Sequence, residues 1–198
     1  MKRHTILLAV LLAGTLGGSA FGQQMDWALG FSTLHSAAVS SSQALQPFPP
    51  VSLTGGLYPS ISGDISIRKN IALGGEISWR GGQGNYDLSQ PYRPIFWDFD
   101  GLYIPKLGPH AQAEFSAGIG AESTRFYTNY LNCTAISCTN YTTSTHFMGQ
   151  FGAGLKLYAK GGLFVRPEVH VYVVSNNLEY TSPYVVRYGA SIGYTFGH

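Results

Sequence analysis

The chain has 198 residues, of which only 11% are charged and 14% are aromatic, and glycine occurs 25 times. Ordinary soluble domains carry about 25% charged residues, so we expect much of this surface to face something other than water. The formal net charge of +2 provides no strongly basic patch, which argues against nucleic acid as a partner.

The N-terminus has the layout of a secretory signal peptide. Lys2 and Arg3 precede an uncharged apolar stretch, and small residues then lead to Gly22. A membrane anchor needs about 20 apolar residues, and this stretch is shorter and interrupted by glycines. We therefore expect residues 1–22 to be a signal peptide and residues 23–198 to be the mature domain. The mature chain, with ten basic and ten acidic residues, is formally neutral.

Apolar residues alternate with small or polar residues throughout the mature chain, a pattern that indicates strands with two different faces. Eight strands are predicted, at residues 27–32, 57–67, 71–80, 95–100, 110–119, 146–157, 163–173 and 186–196. No stretch of the mature chain approaches 18 consecutive apolar residues, which excludes a helical membrane protein. The remaining way to span a bilayer is a closed antiparallel barrel.

The connections between these strands alternate in length. Short turns are predicted at 68–70, 105–109 and 159–162, and longer polar loops at 35–50, 82–94, 128–145 and 175–183. Short periplasmic turns and longer extracellular loops are typical of outer-membrane barrels. Aromatic girdles are expected at the two rims, with Trp27, Tyr103, Tyr194 and Phe196 at the inner rim and Trp79, Trp97, Tyr127 and Tyr184 at the outer one.

Charged residues of the predicted strands share the face that the alternation assigns to the barrel interior. They are Asp64, Glu76, Arg80, Asp98, Asp100, Glu114, Glu122, Lys156, Arg166, Glu168 and Arg187. Side chains fill the interior of an eight-stranded barrel, so an ion-paired plug is expected rather than an aqueous channel.

A specific arrangement of this plug follows from the turn at residues 105–109. A hairpin register centred on Leu107 would place Asp100 directly opposite Glu114, and like charges in that position are destabilising. We therefore expect cations to neutralise this pair and Glu168. The candidates are Lys156, Arg166 and Arg187.

The third long loop contains the two cysteines of the chain, Cys133 and Cys138. An exported protein permits a disulfide between them. A structural zinc site is the rival interpretation, but two sulfurs with no nearby histidine or carboxylate fall short of four ligands. We predict a disulfide and no metal site.

A catalytic site is not predicted. Ser144 and His146, at the outer end of the sixth strand, come nearest to a lipid-deacylase arrangement, but the sequence shows no local carboxylate to complete a triad. The five histidines of the mature chain are interpreted as loop or interior residues that hydrogen-bond to neighbours.

The last strand, Tyr188-Gly-Ala-Ser-Ile-Gly-Tyr-Thr-Phe196, resembles the C-terminal signal of the small outer-membrane β-barrel family, represented by the OmpA transmembrane domain and OmpX. It departs from that pattern by adding Gly197 and His198 after the aromatic residue. The resemblance implies a monomeric outer-membrane barrel that contacts outer-membrane lipids and lipopolysaccharide, is inserted by the barrel assembly machinery and needs no cofactor.

These features specify the architecture more closely than the activity. The predicted function is that of a surface or structural protein whose outer loops bind in an adhesin-like way, with an extracellular ligand that the sequence does not identify. The alternatives are a narrow porin, a lipid A-modifying enzyme and a soluble lipocalin-like barrel. The scarcity of charge argues against the last, because a water-facing exterior would carry many more lysines and glutamates.

Overall fold

The computed structural model describes residues 24–40, 42, 50–86, 90–133, 138–176 and 178–197. The predicted signal peptide lies outside these residues. Among the described residues, no helix is both long enough and apolar enough to cross a membrane.

The described chain is an antiparallel up-and-down β-barrel. Its strands are β1 (Met25–Ser36), β2 (Gly55–Arg68), β3 (Ile71–Trp79), β4 (Gly84–Tyr86), β5 (Gln90–Tyr103), β6 (Ala111–Cys133), β7 (Cys138–Tyr158), β8 (Leu163–Val174) and β9 (Tyr184–Phe196). Each long strand pairs with its neighbours in the chain, β1 pairs with β9, and β3 pairs with β5. Eight strands thus close the barrel, which confirms all eight predicted strands, and the short β4 pairs only with the outer end of β5.

The wall of the barrel has an apolar outer face and a polar inner face. In β1, for example, Trp27, Leu29 and Phe31 are exposed, while the residues between them are buried. On β6 the apolar outward positions run from Ala111 to Ala121. At about 3.3 Å per residue and a tilt of about 40°, these positions span roughly 25 Å, the height of the apolar band of an outer-membrane barrel.

Two of the predicted loops are shorter than expected. The prediction of a loop at 128–145 is wrong, because β6 extends to Cys133 and β7 begins at Cys138. The pairing continues through Tyr127 and Tyr141 and, after an irregularity, through the cysteines. Threonine and tyrosine fit a paired strand well, although their polarity suggested a loop. Part of the loop predicted at 82–94 is likewise strand.

The hairpin between β5 and β6 turns two residues later than predicted. The backbone N–H of Ala113 donates a 3.0 Å hydrogen bond to the carbonyl of Pro105, and that of Leu107 donates one of 2.9 Å to Ala111. Pro105 suggested the start of the turn because proline has no N–H, but its carbonyl still accepts a bond across the hairpin. The hairpin is therefore centred on Pro109 instead of Leu107.

This shift overturns the predicted pairing of two carboxylates. Asp100 lies opposite Gly118, and Glu114 lies opposite Gly154 on the other side of its strand. Two other pairs of acidic residues face each other directly among the described residues, Asp26 with Asp64 and Glu76 with Asp98. The expectation that opposed carboxylates need a cation therefore applies to these two pairs.

The interior is arranged in layers along the barrel axis. Toward the long connections, an apolar layer is formed by Leu34, Leu53, Tyr58, Tyr92, Phe96, Met148, Tyr172, Val174, Tyr180 and Val185. The ion-paired residues around Lys156, Arg166 and Arg187 lie below this layer, whereas Arg80 and Glu122 lie at its level. A small apolar cluster of Ala72, Leu102 and Ile104 follows toward the short turns.

Candidate functional site

Lys156 is the centre of the lower half of the interior ion network. Its Nζ lies 2.6 Å from Asp26, 3.2 Å from Asp64 and 2.8 Å from Glu114, and the side chain is fully buried. One ammonium group therefore contacts both of the opposed carboxylates, Asp26 and Asp64. The sequence analysis missed Asp26, although extending the alternation of β1 by one more inward position would have found it.

The two buried arginines continue the network upward. Arg166 contacts Glu114 at 2.8 Å and Glu168 at 2.7 Å, and Arg187 pairs with Glu76 and, at 3.5 Å, with Glu168. The structure thus brings together most of the predicted network. It forms a chain of alternating acids and bases across the interior, as a side-chain-filled barrel requires.

Three predicted members of the network lie apart from these cations. Within the described residues, Asp98 and Asp100 have no cation within 4.0 Å, and one carboxylate oxygen of each is buried without a hydrogen-bond partner. Arg80 lies higher, where it donates a 2.8 Å hydrogen bond to the hydroxyl of Tyr92. Among the described residues, three buried cations, Lys156, Arg166 and Arg187, accompany eight buried carboxylates, namely Asp26, Asp64, Glu76, Asp98, Asp100, Glu114, Glu122 and Glu168. The interior has an excess of acid.

A loop segment covers the outer mouth of the barrel. The backbone N–H of Val51 donates a 3.0 Å hydrogen bond to the carbonyl of Glu179, so two of the long connections pair above the interior. Tyr180 is buried in the outer apolar layer, where its hydroxyl contacts Thr124. Within the described part of the chain, these contacts cover the outer opening of the barrel.

Glu179 also supplies the carboxylate that the sequence did not place beside Ser144 and His146. Ser144 donates a 2.6 Å hydrogen bond to Glu179, and Nε2 of His146 lies 3.0 Å from Ser144 Oγ and 2.9 Å from Glu179. In a catalytic triad the histidine contacts the serine and the carboxylate through opposite nitrogens. Here one nitrogen faces both partners, and the serine donates to the carboxylate. The cluster holds a loop in place, and its geometry differs from that of a catalytic triad.

The long hairpin of β6 and β7 is the most prominent outer feature of the described chain. Cys133 and Cys138 face each other across it and form a disulfide with a Cα–Cα distance of 4.0 Å. Near the tip, Tyr130 and Leu131 are 69% and 66% exposed. Lower on the outward face, the guanidinium of Arg125 lies 4.9 Å from the ring centre of Tyr141.

Solved structures of small outer-membrane barrels share this architecture. Neisserial surface protein A aligns with a TM-score of 0.61 at 7% identity, covering 88% of this chain and 97% of that one. The attachment invasion locus protein of Yersinia pestis, Ail, in complex with the heparin analogue sucrose octasulfate, gives 0.57 at 8% identity, covering 88% and 99%. The N-terminal β-barrel domain of Pseudomonas aeruginosa OprF gives 0.53 at 14%, covering 88% and 98%.

The chain has the fold of the small outer-membrane β-barrels. The agreement covers almost the whole length of each of these proteins. No family model and no curated protein matches the sequence. At such low identity the likeness concerns the fold alone.

Proposed function

We propose that the protein is an integral outer-membrane barrel that serves as a rigid mount for the β6–β7 hairpin, which binds partners at the cell surface. Support for the membrane location comes from the apolar outer wall, whose height matches that of an outer-membrane barrel. The similarity in fold to Neisserial surface protein A, Ail and the OprF domain points the same way.

The observation that carries the binding role is the projection of this hairpin beyond the apolar wall. Strand pairing continues six residues past Ala121, to Tyr127 and Tyr141, and resumes at the cysteines. A paired and cross-linked hairpin presents its tip with little entropy left to lose on binding, which favours affinity. An exposed tyrosine such as Tyr130 is a typical anchor of an interface, and the exposed Leu131 beside it adds apolar area.

A closed barrel fits the interior better than the narrow-porin alternative does. Lys156, Arg166 and Arg187 are buried among carboxylates, and the outer apolar layer lies above them. The lipid A-modifying alternative is weakened by the hydrogen-bond geometry around His146. Cleavage after Gly22, insertion by the barrel assembly machinery and a monomeric state stay predictions.

Attachment of cells tests the proposed role. A non-adherent diderm bacterium that displays the full chain should attach to host cells or matrix, and Tyr130→Ser with Leu131→Ser should reduce attachment about tenfold or more. Leu178→Ser is the matched control, because Leu178 is also exposed but lies in another loop. The proposal fails if the displayed protein gives no attachment, or if the tip variant attaches as well as the control.

A further inference from the structure

Two arginines lie side by side on the outer wall. Arg93 of β5 is directly opposite Arg125 of β6, and both occupy outward positions of their strands. Like charges directly opposite each other on one face of a sheet are destabilising. An anion between or beside the two guanidinium groups would therefore stabilise such a pair.

The described chain provides no such anion. Among the described residues, no carboxylate lies within 4.0 Å of either guanidinium, and Nε of Arg93 is buried without a hydrogen-bond partner. Arg125 is held over the ring of Tyr141. This contact fixes the position of its guanidinium and still leaves the N–H groups available as donors.

The height of the pair on the wall indicates where an anion would come from. Arg93 lies one outward position closer to the outer rim than Ile95, an apolar residue of the wall, and Arg125 lies opposite Arg93. Two residues along a tilted strand rise about 5 Å along the barrel axis, which is the distance from the hydrocarbon edge to the headgroups of a bilayer. The pair faces sideways, toward neighbouring lipid, and not into the barrel.

We propose that Arg93 and Arg125 form a binding site for a phosphate group on the headgroup of an outer-leaflet lipid. Two adjacent guanidinium groups match a phosphate, because each can donate two parallel hydrogen bonds to its oxygens. Tyr127 and Tyr141, whose ring centres are 5.9 Å apart, lie directly beyond and can pack against the sugar that carries the phosphate. The inference rests on the proposed membrane location and adds a specific lipid partner to it.

Native mass spectrometry of the full protein in nanodiscs that contain bis-phosphorylated lipid A tests the site. We expect the wild-type protein to retain one lipid A molecule, and the double variant Arg93→Gln/Arg125→Gln to retain at least tenfold less. The control Arg68→Gln/Lys69→Gln removes two adjacent exposed basic residues at the opposite rim and should behave as wild type. Lipid A without phosphates should not be retained by any of the three proteins.

Further comparisons separate the possible failures. Folding of each variant is verified by its heat-dependent mobility in gel electrophoresis, so loss of lipid cannot be confused with loss of the barrel. Equal retention by wild type and the double variant would overturn the site, as would displacement of lipid A by an equal concentration of inorganic phosphate. A wild-type protein that does not enter nanodiscs would instead overturn the proposed membrane location.

Discussion

Lys156 shows how a single residue holds several strands of this barrel together. Its ammonium group contacts carboxylates from β1, β2 and β6, while Lys156 itself belongs to β7. The barrel interior excludes most water, so each carboxylate left without its cation is costly. Removing one of the bases should therefore lower the stability of the barrel more than removing one of the surplus acids.

Lys156→Ala should lower the free energy of unfolding in detergent micelles by about 3 to 5 kcal/mol, because buried Asp26 and Asp64 lose their cation and Glu114 keeps only Arg166. Denaturant titration followed by heat-dependent gel mobility measures this change. The exposed turn residue Lys160 is the control, and Lys160→Ala should shift the value by no more than about 0.5 kcal/mol. Equal stability of the two variants would contradict the role assigned to Lys156.

Substitution of Asp98 should not lower the stability of the barrel as substitution of Lys156 does. Its side chain is 4% exposed and has no cation within 4.0 Å among the described residues. The neutral amide in Asp98→Asn removes an uncompensated charge, so stability should stay the same or rise. Glu168→Gln, which breaks the contacts to Arg166 and Arg187, should destabilise the barrel in the same denaturant titration. A loss for Asp98→Asn as large as that for Glu168→Gln would refute the distinction.

The contacts of Glu179 that hold its loop in place should weaken at low pH. Burial acts to raise its pKa, but hydrogen bonds from Ser144 and the backbone, together with His146, hold the pKa below the ordinary value of 4.5. A lowered carboxyl pKa contributes stability above that ordinary value, and this contribution is lost as the pH falls through the folded-state pKa. Proteolysis of the loop across a pH series should therefore accelerate only below about pH 4.5. Glu179→Gln should remove this pH dependence of proteolysis. If the variant kept the pH profile of the wild type, the role of Glu179 would be contradicted.

At the scale of strands, the alternation of apolar residues was sufficient to find all eight elements of the barrel. It was insufficient for their ends, since polar residues such as Thr142 and Thr143 extend β7 well beyond the apolar wall. The register of the β5–β6 hairpin depended on a single turn, so an error of two residues moved Asp100 away from Glu114. Contacts between distant segments, such as Glu179 with His146, have no sequence signal of their own.

The disulfide is expected to act on the β6–β7 hairpin and not on the barrel. Cys133 and Cys138 are five residues apart, and closing so short a loop contributes at most about 2 to 3 kcal/mol. Cys133→Ser should increase hydrogen exchange near the hairpin tip while the midpoint of barrel unfolding stays unchanged. A lower midpoint for the whole barrel would show that the hairpin and the wall unfold as one unit.

At the scale of the whole molecule, folding separates the charges of a formally neutral chain. Of the nine acidic residues in the part of the chain that the structure describes, eight are buried in the interior. The short turns carry exposed Lys69, Lys106 and Lys160, and the outward faces of the long strands are apolar through the middle of the wall. This distribution suits a barrel in which the middle of the outer wall contacts lipid. Composition alone predicted such a surface, but only the fold shows where the charges go.

The three tryptophans provide the most direct test of the membrane-spanning barrel. Trp27, Trp79 and Trp97 all occupy outward positions of their strands, two of them well exposed. After refolding into vesicles, lipids brominated on the acyl chains should quench most of the tryptophan fluorescence, because bromine atoms then contact the wall directly. A protein recovered as a soluble monomer without detergent, with fluorescence that brominated lipid leaves unchanged, would contradict the account.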